Sequence, residues 1–144
     1  MKQMRLREEQ GSAIAGEAGS ATLEMAFILP LFLLLTFGIF EFGRAWLILN
    51  TLNHATREAV RLASTTSALT ANNTSVVTKA NDILATAGVT GASVTNTAPS
   101  GTPPQATVSA TFNFNFLTGI GPLFGFKFSG SIPMTSSATM RYER

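Results

Sequence analysis

The feature that most constrains this chain is an apolar run without charged residues at positions 25–40, bounded by Glu24 and Glu41. As a helix rising about 1.5 Å per residue it would extend roughly 24 Å, a little short of the hydrocarbon core of a bilayer. The apolar sequence resumes at residues 46–49, after Arg44, and begins there with Trp, which favours the membrane–water interface. We therefore expect one long helix whose first half spans a membrane.

Beyond this run the apolar pattern narrows to one stripe, which is typical of a helix with one buried face. Its members recur at alternating spacings of four and three residues: Ile48, Leu52, Ala55, Ala59 and Leu62. Asn50, His54 and Arg57 lie on the other side of the same helix. The pattern predicts a helix over about residues 21–63 with its second half in water. His54 has no second ligand at a suitable spacing, so we expect it to be solvated.

The remaining sequence predicts a second helix and a small sheet. Thr74 is a candidate N-cap, and Gly88 follows an apolar face that begins at Val76. Further on, the period changes to two. Phe112, Phe114 and Phe116 alternate with polar residues as in a strand, with shorter strand patterns expected within residues 89–97, from Phe126, and at 134–142. We expect an α+β, pilin-like fold in which the Phe side of a small antiparallel sheet faces a helix.

Composition excludes several classes of function. The net charge is +2 and dispersed, which does not favour nucleic-acid binding, and the absence of cysteine excludes disulfides and thiol catalysis. No Gly-rich phosphate loop, nucleophile elbow or clustered acid pair is present. We therefore expect no enzymatic activity, no cofactor, no metal and no small-molecule substrate.

The most informative stretch is the junction from Gly19 to Glu24, where a short leader that begins with basic residues meets the apolar run. The leader, residues 1–19, balances three basic against three acidic residues, and its glycines weigh against a stable helix. Glycine followed by glutamate at the fifth position beyond it resembles the processing site of type IV-like prepilins. In those proteins a membrane-embedded peptidase cuts after the glycine, which here would release Ser20 as the new N-terminus.

Four further segments make the resemblance specific. They are Leu-Glu-Met-Ala at 23–26, Leu29-Pro30, Phe-Glu-Phe-Gly-Arg at 40–44, and Asn-His-Ala-Thr-Arg-Glu-Ala-Val-Arg at 53–61. Together, residues 20–63 resemble the N-terminal signature of the TadE/TadG-like family, the pseudopilin-like components of the tight-adherence (Flp) pilus apparatus. One departure is Met25, which stands where such processing sites often carry an aromatic residue.

This resemblance implies three regions: a leader at 1–19, a transmembrane and amphipathic helix at 20–63, and a periplasmic α+β module at 64–144. It implies a minor structural subunit of a pilus or related secretion filament, held in the bacterial inner membrane. The expected partners are other pilin-like and pilus-assembly proteins and the prepilin peptidase. Charge supports this topology weakly, since basic residues stand on both sides of the span, so the leader analogy decides it.

Two acidic residues near the span have alternative interpretations. Glu24 is an assembly residue if it pairs with the freed N-terminal amine of this or a neighbouring subunit, because an unpaired carboxylate is costly in lipid. It is a plain interfacial carboxylate if the dipole of the helix N-terminus alone favours it there. Glu41 and Arg44 are three residues apart, so we expect them to form a neutralising pair at the membrane boundary.

Two other functions fit the same sequence. In the first, the apolar run is an ordinary signal peptide cut after Ala45, and the chain is a secreted binding module. In the second, an unprocessed single-pass protein carries an adhesive or scaffolding domain. N-terminal sequencing separates the three alternatives, because the mature protein would begin at Ser20, Trp46 or Met1 respectively.

We expect replacement of Gly19 by Phe to abolish processing, because a bulky side chain at this position does not fit a peptidase that reads glycine. Membranes from cells that express G19F would then contain only the longer form in electrophoresis and mass spectrometry. Co-migration of G19F with the wild-type protein at the shorter size would place the processing site elsewhere.

Overall fold

The computed structural model describes residues 2–116 and 130–142, with side chains described from residue 19 onward. This part of the chain folds into two helices and three strands: α1 Lys2–Thr65, α2 Thr74–Thr86, β1 Ser93–Asn96, β2 Gln105–Asn115 and β3 Ser131–Arg141. The strands form one antiparallel sheet in the order β1-β2-β3. The expected α+β class is therefore confirmed. The chain divides into two compact units, Met1–Phe40 and Glu41–Arg144.

Helix α1 begins far earlier than the sequence suggested. The expectation that the leader glycines prevent a stable helix is wrong, since helical backbone runs from Lys2 through Gly11, Gly16 and Gly19. A glycine disfavours a helix by only about 1 kcal/mol relative to alanine, and strong helix formers such as Ala, Glu and Gln surround these three. The helix also continues through Pro30.

The core of the second unit lies along one face of α1. Leu52, Ala55 and Ala59 of the predicted stripe are fully buried. The prediction is wrong for Leu62, the last residue of the stripe, which remains 36% exposed. Ala63 is fully buried in its place. Residue 63 lies four positions after 59 and stays near the centre of the face, whereas residue 62 has turned towards its edge.

Buried hydroxyls join α1 to the sheet within this core. The Ser136 hydroxyl of β3 donates to Oδ1 of Asn53 at 2.6 Å and lies 3.0 Å from the hydroxyl of Thr56. Thr56 is fully buried and also bonds the carbonyl of Leu52 one turn earlier, at 3.0 Å. Because each of these buried groups has a partner, they fix the position of the strand on the helix without leaving polar atoms unsatisfied.

The sheet shows the alternation expected for a half-buried surface. Ala106, Val108, Ala110 and Phe114 of β2 are buried, and Phe112 packs partly against the core. Phe116 differs from the prediction: it follows the last residue of β2 and is 38% exposed. Its ring stands edge-on to that of Phe114, with centroids 5.3 Å apart. The prediction of an inward-facing Phe side is thus confirmed for Phe114 and wrong for Phe116.

The outer face of the sheet is a ladder of hydroxyl groups. Opposite residues of β2 and β3 bond to each other across the strands: Thr107 with Thr139 at 3.0 Å, Ser109 with Ser137 at 3.1 Å, and Thr111 with Thr135 at 3.2 Å. Cross-strand hydroxyl pairs of this kind stabilise a sheet by a few tenths of a kcal/mol to about 1 kcal/mol each.

Helix α2 is attached through asparagine side chains. Its N-cap is Asn73, one residue before the predicted Thr74, and the Asn73 side chain accepts a hydrogen bond from the Ser75 amide at 3.1 Å. The buried Asn96 of β1 accepts from the Asn73 amide at 2.6 Å and donates to the carbonyl of Thr70 at 2.8 Å. The start of α2 is therefore bonded to the end of β1. The predicted helix stop is confirmed, since Gly88 adopts φ +76° just after the C-cap.

The strands differ from their predicted bounds in both directions. Strand β1 is only Ser93–Asn96, shorter than the pattern over 89–97, and β3 begins at Ser131, before the predicted residue 134. A turn occupies residues 101–104, between β1 and β2. The strand expected from Phe126 falls outside the described residues.

Burial of Ala59 on α1 gives a direct test of the helix–sheet interface. We expect Ala59→Glu to lower the free energy of unfolding of the full-length protein in mild detergent by on the order of 4 kcal/mol, because it places a carboxylate in a filled apolar site. The matched control is Ala85→Glu on the exposed side of α2, which should change stability little. Equal thermal midpoints for A59E and A85E, followed by circular dichroism, would contradict the packing of this helix face.

Candidate functional site

In the first unit, almost all of the large apolar side chains of residues 19–40 are exposed. Within Gly19–Thr65 of α1, the most apolar 18-residue window has a mean hydropathy of 2.2, and none of it is buried. This part of α1 is therefore long and apolar enough to cross a membrane. Phe27 and Leu31 are 77% and 68% exposed. In water such a surface would be strongly unfavourable, whereas lipid or the apolar helices of other subunits would cover it.

Gly19 has no packing role in the described structure. A Cβ atom built on it would meet no described atom within 4 Å, and its φ is not in the left-handed region. Any residue would therefore fit the helix at this position. A requirement for glycine here would have to come from a molecule that binds the chain, which is the situation expected of a processing site.

Glu24 lies five residues further along α1 and is exposed. In the described part of the chain its carboxylate forms no ion pair and no hydrogen bond. The structure thus leaves the carboxylate accessible at the head of the apolar run. Glu41 and Arg44 follow at the other end of that run in the sequence.

At that other end, Glu41 and Arg44 form the ion pair that their spacing suggested. Nη2 of Arg44 lies 2.7 Å from Oε2 of Glu41, and the Glu41 side chain is only 14% exposed against 35% for Arg44. The role of this pair at a membrane boundary stays a prediction.

Arg44 also contacts the end of the sheet, which the sequence did not predict. The same Nη2 donates to the backbone carbonyl of Asn115 at 2.5 Å, and the guanidinium carbon lies 4.4 Å from the centroid of the Phe114 ring. A guanidinium over an aromatic face is stabilised by about 0.5–2 kcal/mol, more when water is excluded. One side chain therefore joins α1, the last residue of β2 and the Phe114 ring.

Two polar atoms of this cluster remain without a partner. Oε1 of Glu41 and Nε of Arg44 are buried and have no hydrogen-bond partner among the described residues. Together with the ion pair, they make this cluster the most polar part of an otherwise apolar stretch of α1. His54, in contrast, is exposed on the polar side of the helix, as predicted.

Comparison with protein families identifies part of this helix. Residues 19–61 match the family model described as TadE-like protein. The matched segment makes up 43 of the 144 residues of the chain. The matched range begins at Gly19 and includes Ser20, Glu24, the Glu41–Arg44 pair and the buried Leu52–Ala59 face. It therefore covers every candidate site residue that the sequence predicted. No curated protein and no solved structure matches the chain.

This match agrees with the suspected resemblance to the TadE/TadG-like family over residues 19–61, and it suggests a component associated with the tight-adherence pilus. It is also consistent with membrane anchoring through the single apolar helix. The match ends before α2 and the sheet, so the module that follows is known here only from its own structure.

Sequence reasoning missed three residues of this region: Asn115, Phe114 as a partner of Arg44, and Thr56. The contact between Arg44 and Asn115 joins positions 71 residues apart, and helix spacing carries no information about such a contact. Thr56 gave a weak signal, since it lies beside Ala55 on the stripe. Because its side chain is polar, the apolar pattern did not include it.

The geometry of Arg44 leads to a stability test. We expect Arg44→Gln to lower the free energy of unfolding by about 2–3 kcal/mol, because it removes charged hydrogen bonds and leaves the largely buried Glu41 without its partner. Arg57→Gln on the exposed side of α1 is the matched control and should be nearly neutral. Denaturant unfolding of the full-length variants in detergent measures both. Indistinguishable midpoints for the two would show that the Arg44 contacts contribute nothing.

Proposed function

We propose that this chain is a minor pseudopilin-like structural subunit that serves assembly of a tight-adherence pilus or a related secretion filament. The main support is the match of residues 19–61 to the TadE-like family, on a helix whose apolar half is exposed over its whole length. A subunit of this kind acts by holding other chains in place. The proposal therefore includes no catalytic activity and no cofactor.

In this proposal the two halves of α1 have different functions. Its apolar half, between Glu24 and Glu41, anchors the chain in the inner membrane and offers its surface to lipid and to the helices of neighbouring subunits. Its second half is the support on which the α+β module folds. That module lies on the periplasmic side, where it contacts other components of the assembly apparatus.

Processing after Gly19 fits the same function. A prepilin peptidase would remove the leader and create a new amine at Ser20, five positions from Glu24. Two features support this step: the open space around Gly19 and the exposed carboxylate of Glu24. When subunits pack side by side, the Glu24 carboxylate would lie against the apolar helix of a neighbouring subunit. The new N-terminal ammonium group of that neighbour is the expected partner for the carboxylate there.

The substitution Glu24→Gln tests the assembly role. The amide keeps the shape and still accepts a hydrogen bond, so leader cleavage should continue, since cleavage reads Gly19 most directly. Pairing with a neighbouring amine would be lost, and breaking a buried ion pair costs about 3–5 kcal/mol. We therefore expect processed E24Q to be depleted from the filament or assembly platform in co-purification, at equal membrane abundance.

The control for this experiment is Glu58→Gln, the same change in the water-exposed half of α1. It should be recovered with the assembly as well as the wild-type protein. If E24Q and E58Q are recovered equally, Glu24 is an interfacial residue and has no role in assembly. Failure of any form to co-purify with pilus components would count against the proposed function itself.

A further inference from the structure

The end of the sheet nearest Arg44 carries apolar side chains that the core does not cover. Strands β2 and β3 meet there through the pairs Phe114 with Ile132 and Asn115 with Ser131. Phe116 is 38% exposed and Ile132 is 49% exposed, on the same side of the sheet as the buried Phe114. We name Phe116 and Ile132 the sheet tip.

The height of the sheet tip along α1 is fixed by Arg44. Because Arg44 donates to the carbonyl of Asn115 and covers Phe114, the end of β2 lies level with residue 44 of the helix. At about 1.5 Å per residue, that level is roughly 5 Å beyond Glu41, where the uncharged run ends, and about 3 Å before Trp46.

The helix surface at this level has the composition of a membrane interface. Phe42 and Trp46 are 70% and 58% exposed, and their rings stack with centroids 6.3 Å apart. An exposed indole beside an arginine, directly after an apolar span, is the arrangement that helices use at the boundary between lipid and water. A lipid surface at residues 42–46 of α1 would therefore also be level with the sheet tip.

The strands around the tip carry no charge that would oppose such contact. Residues 112–115 and 131–135 contain only apolar and neutral polar side chains. The charged strand residue Arg141 is at the opposite end of the sheet, paired in register with Gln105. A neutral apolar tip suits the interfacial region of a bilayer and does not require anionic lipids.

We infer that the sheet tip inserts into the interfacial layer of the same membrane that α1 spans, so that the α+β module has a second contact with lipid besides its anchor. The inference rests on the membrane anchoring in the proposed function. In this arrangement Arg44 holds the sheet against the helix at the depth where the tip reaches lipid. The module is thereby restrained in its rotation about the helix axis close to the membrane.

Because the chain has no cysteine, single-cysteine variants of the full-length protein can carry an environment-sensitive fluorophore at chosen positions. Ile132→Cys and Phe116→Cys report the tip. Met140→Cys is the matched control: it is on the same strand and face as Ile132, is 41% exposed, and lies eight residues, or about 26 Å, away. Labelled proteins are reconstituted in phosphatidylcholine vesicles with a nitroxide near the lipid headgroup.

We expect the nitroxide to remove more than half of the fluorescence at positions 132 and 116 and little of that at 140. Equal quenching at 132 and 140 would overturn the inference. So would emission at 132 that changes with the ratio of protein to lipid and not with the nitroxide, because the tip would then contact a second copy of the chain.

A label at Leu31→Cys, in the middle of the apolar run, tests membrane anchoring by α1 separately from membrane contact by the sheet tip. It should be quenched by a nitroxide deep in the acyl chains. If it is quenched while the tip labels are not, anchoring stands and only the tip contact is wrong. If Leu31→Cys is also unquenched, the anchored subunit of the proposed function fails with it.

Discussion

The packing of a narrow alanine-lined face of α1 against the sheet is the interaction on which the second unit depends. Ala55, Ala59 and Ala63 are fully buried, and such small side chains let the backbone of a helix approach a sheet closely. Close approach in turn brings Thr56 within hydrogen-bonding distance of Ser136. A larger residue at any of the three alanines would separate the surfaces and break both the apolar and the polar parts of the interface. The TadE-like match includes Ala55 and Ala59. The matched segment therefore also supplies the helix face against which the following module packs.

Much of this could be predicted, because periodicity reports directly on which face of an element is buried. The spacing of Leu52, Ala55 and Ala59 gave the buried helix face, and the alternation around Phe114 gave the central strand. Errors lay at element ends, where the physical differences are small. Helix α1 continues through three glycines because each is only weakly unfavourable, and the cap of α2 shifted from Thr74 to Asn73 because both residue types cap well.

In the candidate site, too, local contacts could be predicted from the sequence and long-range contacts could not. Local spacing was sufficient for the ion pair of Glu41 and Arg44, which are three residues apart on one helix. It carried no information on what else Arg44 touches, since Asn115 and Phe114 reach it only after the sheet has folded onto α1. Gly19 and Glu24 present the reverse case. Both stand in open positions, so the described structure assigns them no role of their own. Their proposed roles come from the resemblance to processed prepilins.

The hydroxyl ladder on the outer face of the sheet makes the module electrostatically one-sided. From residue 41 onward, the described acidic and basic side chains stand on the two helices, apart from Arg141 at one end of β3. The Thr and Ser pairs between β2 and β3 satisfy one another and carry no charge at any physiological pH. Ionic strength and proton concentration therefore act on the helical side, where charges are screened over roughly 10 Å at moderate salt, and leave the sheet side nearly unaffected. A module built in this way has one surface, the outer face of the sheet, whose charge stays constant when salt concentration and pH change.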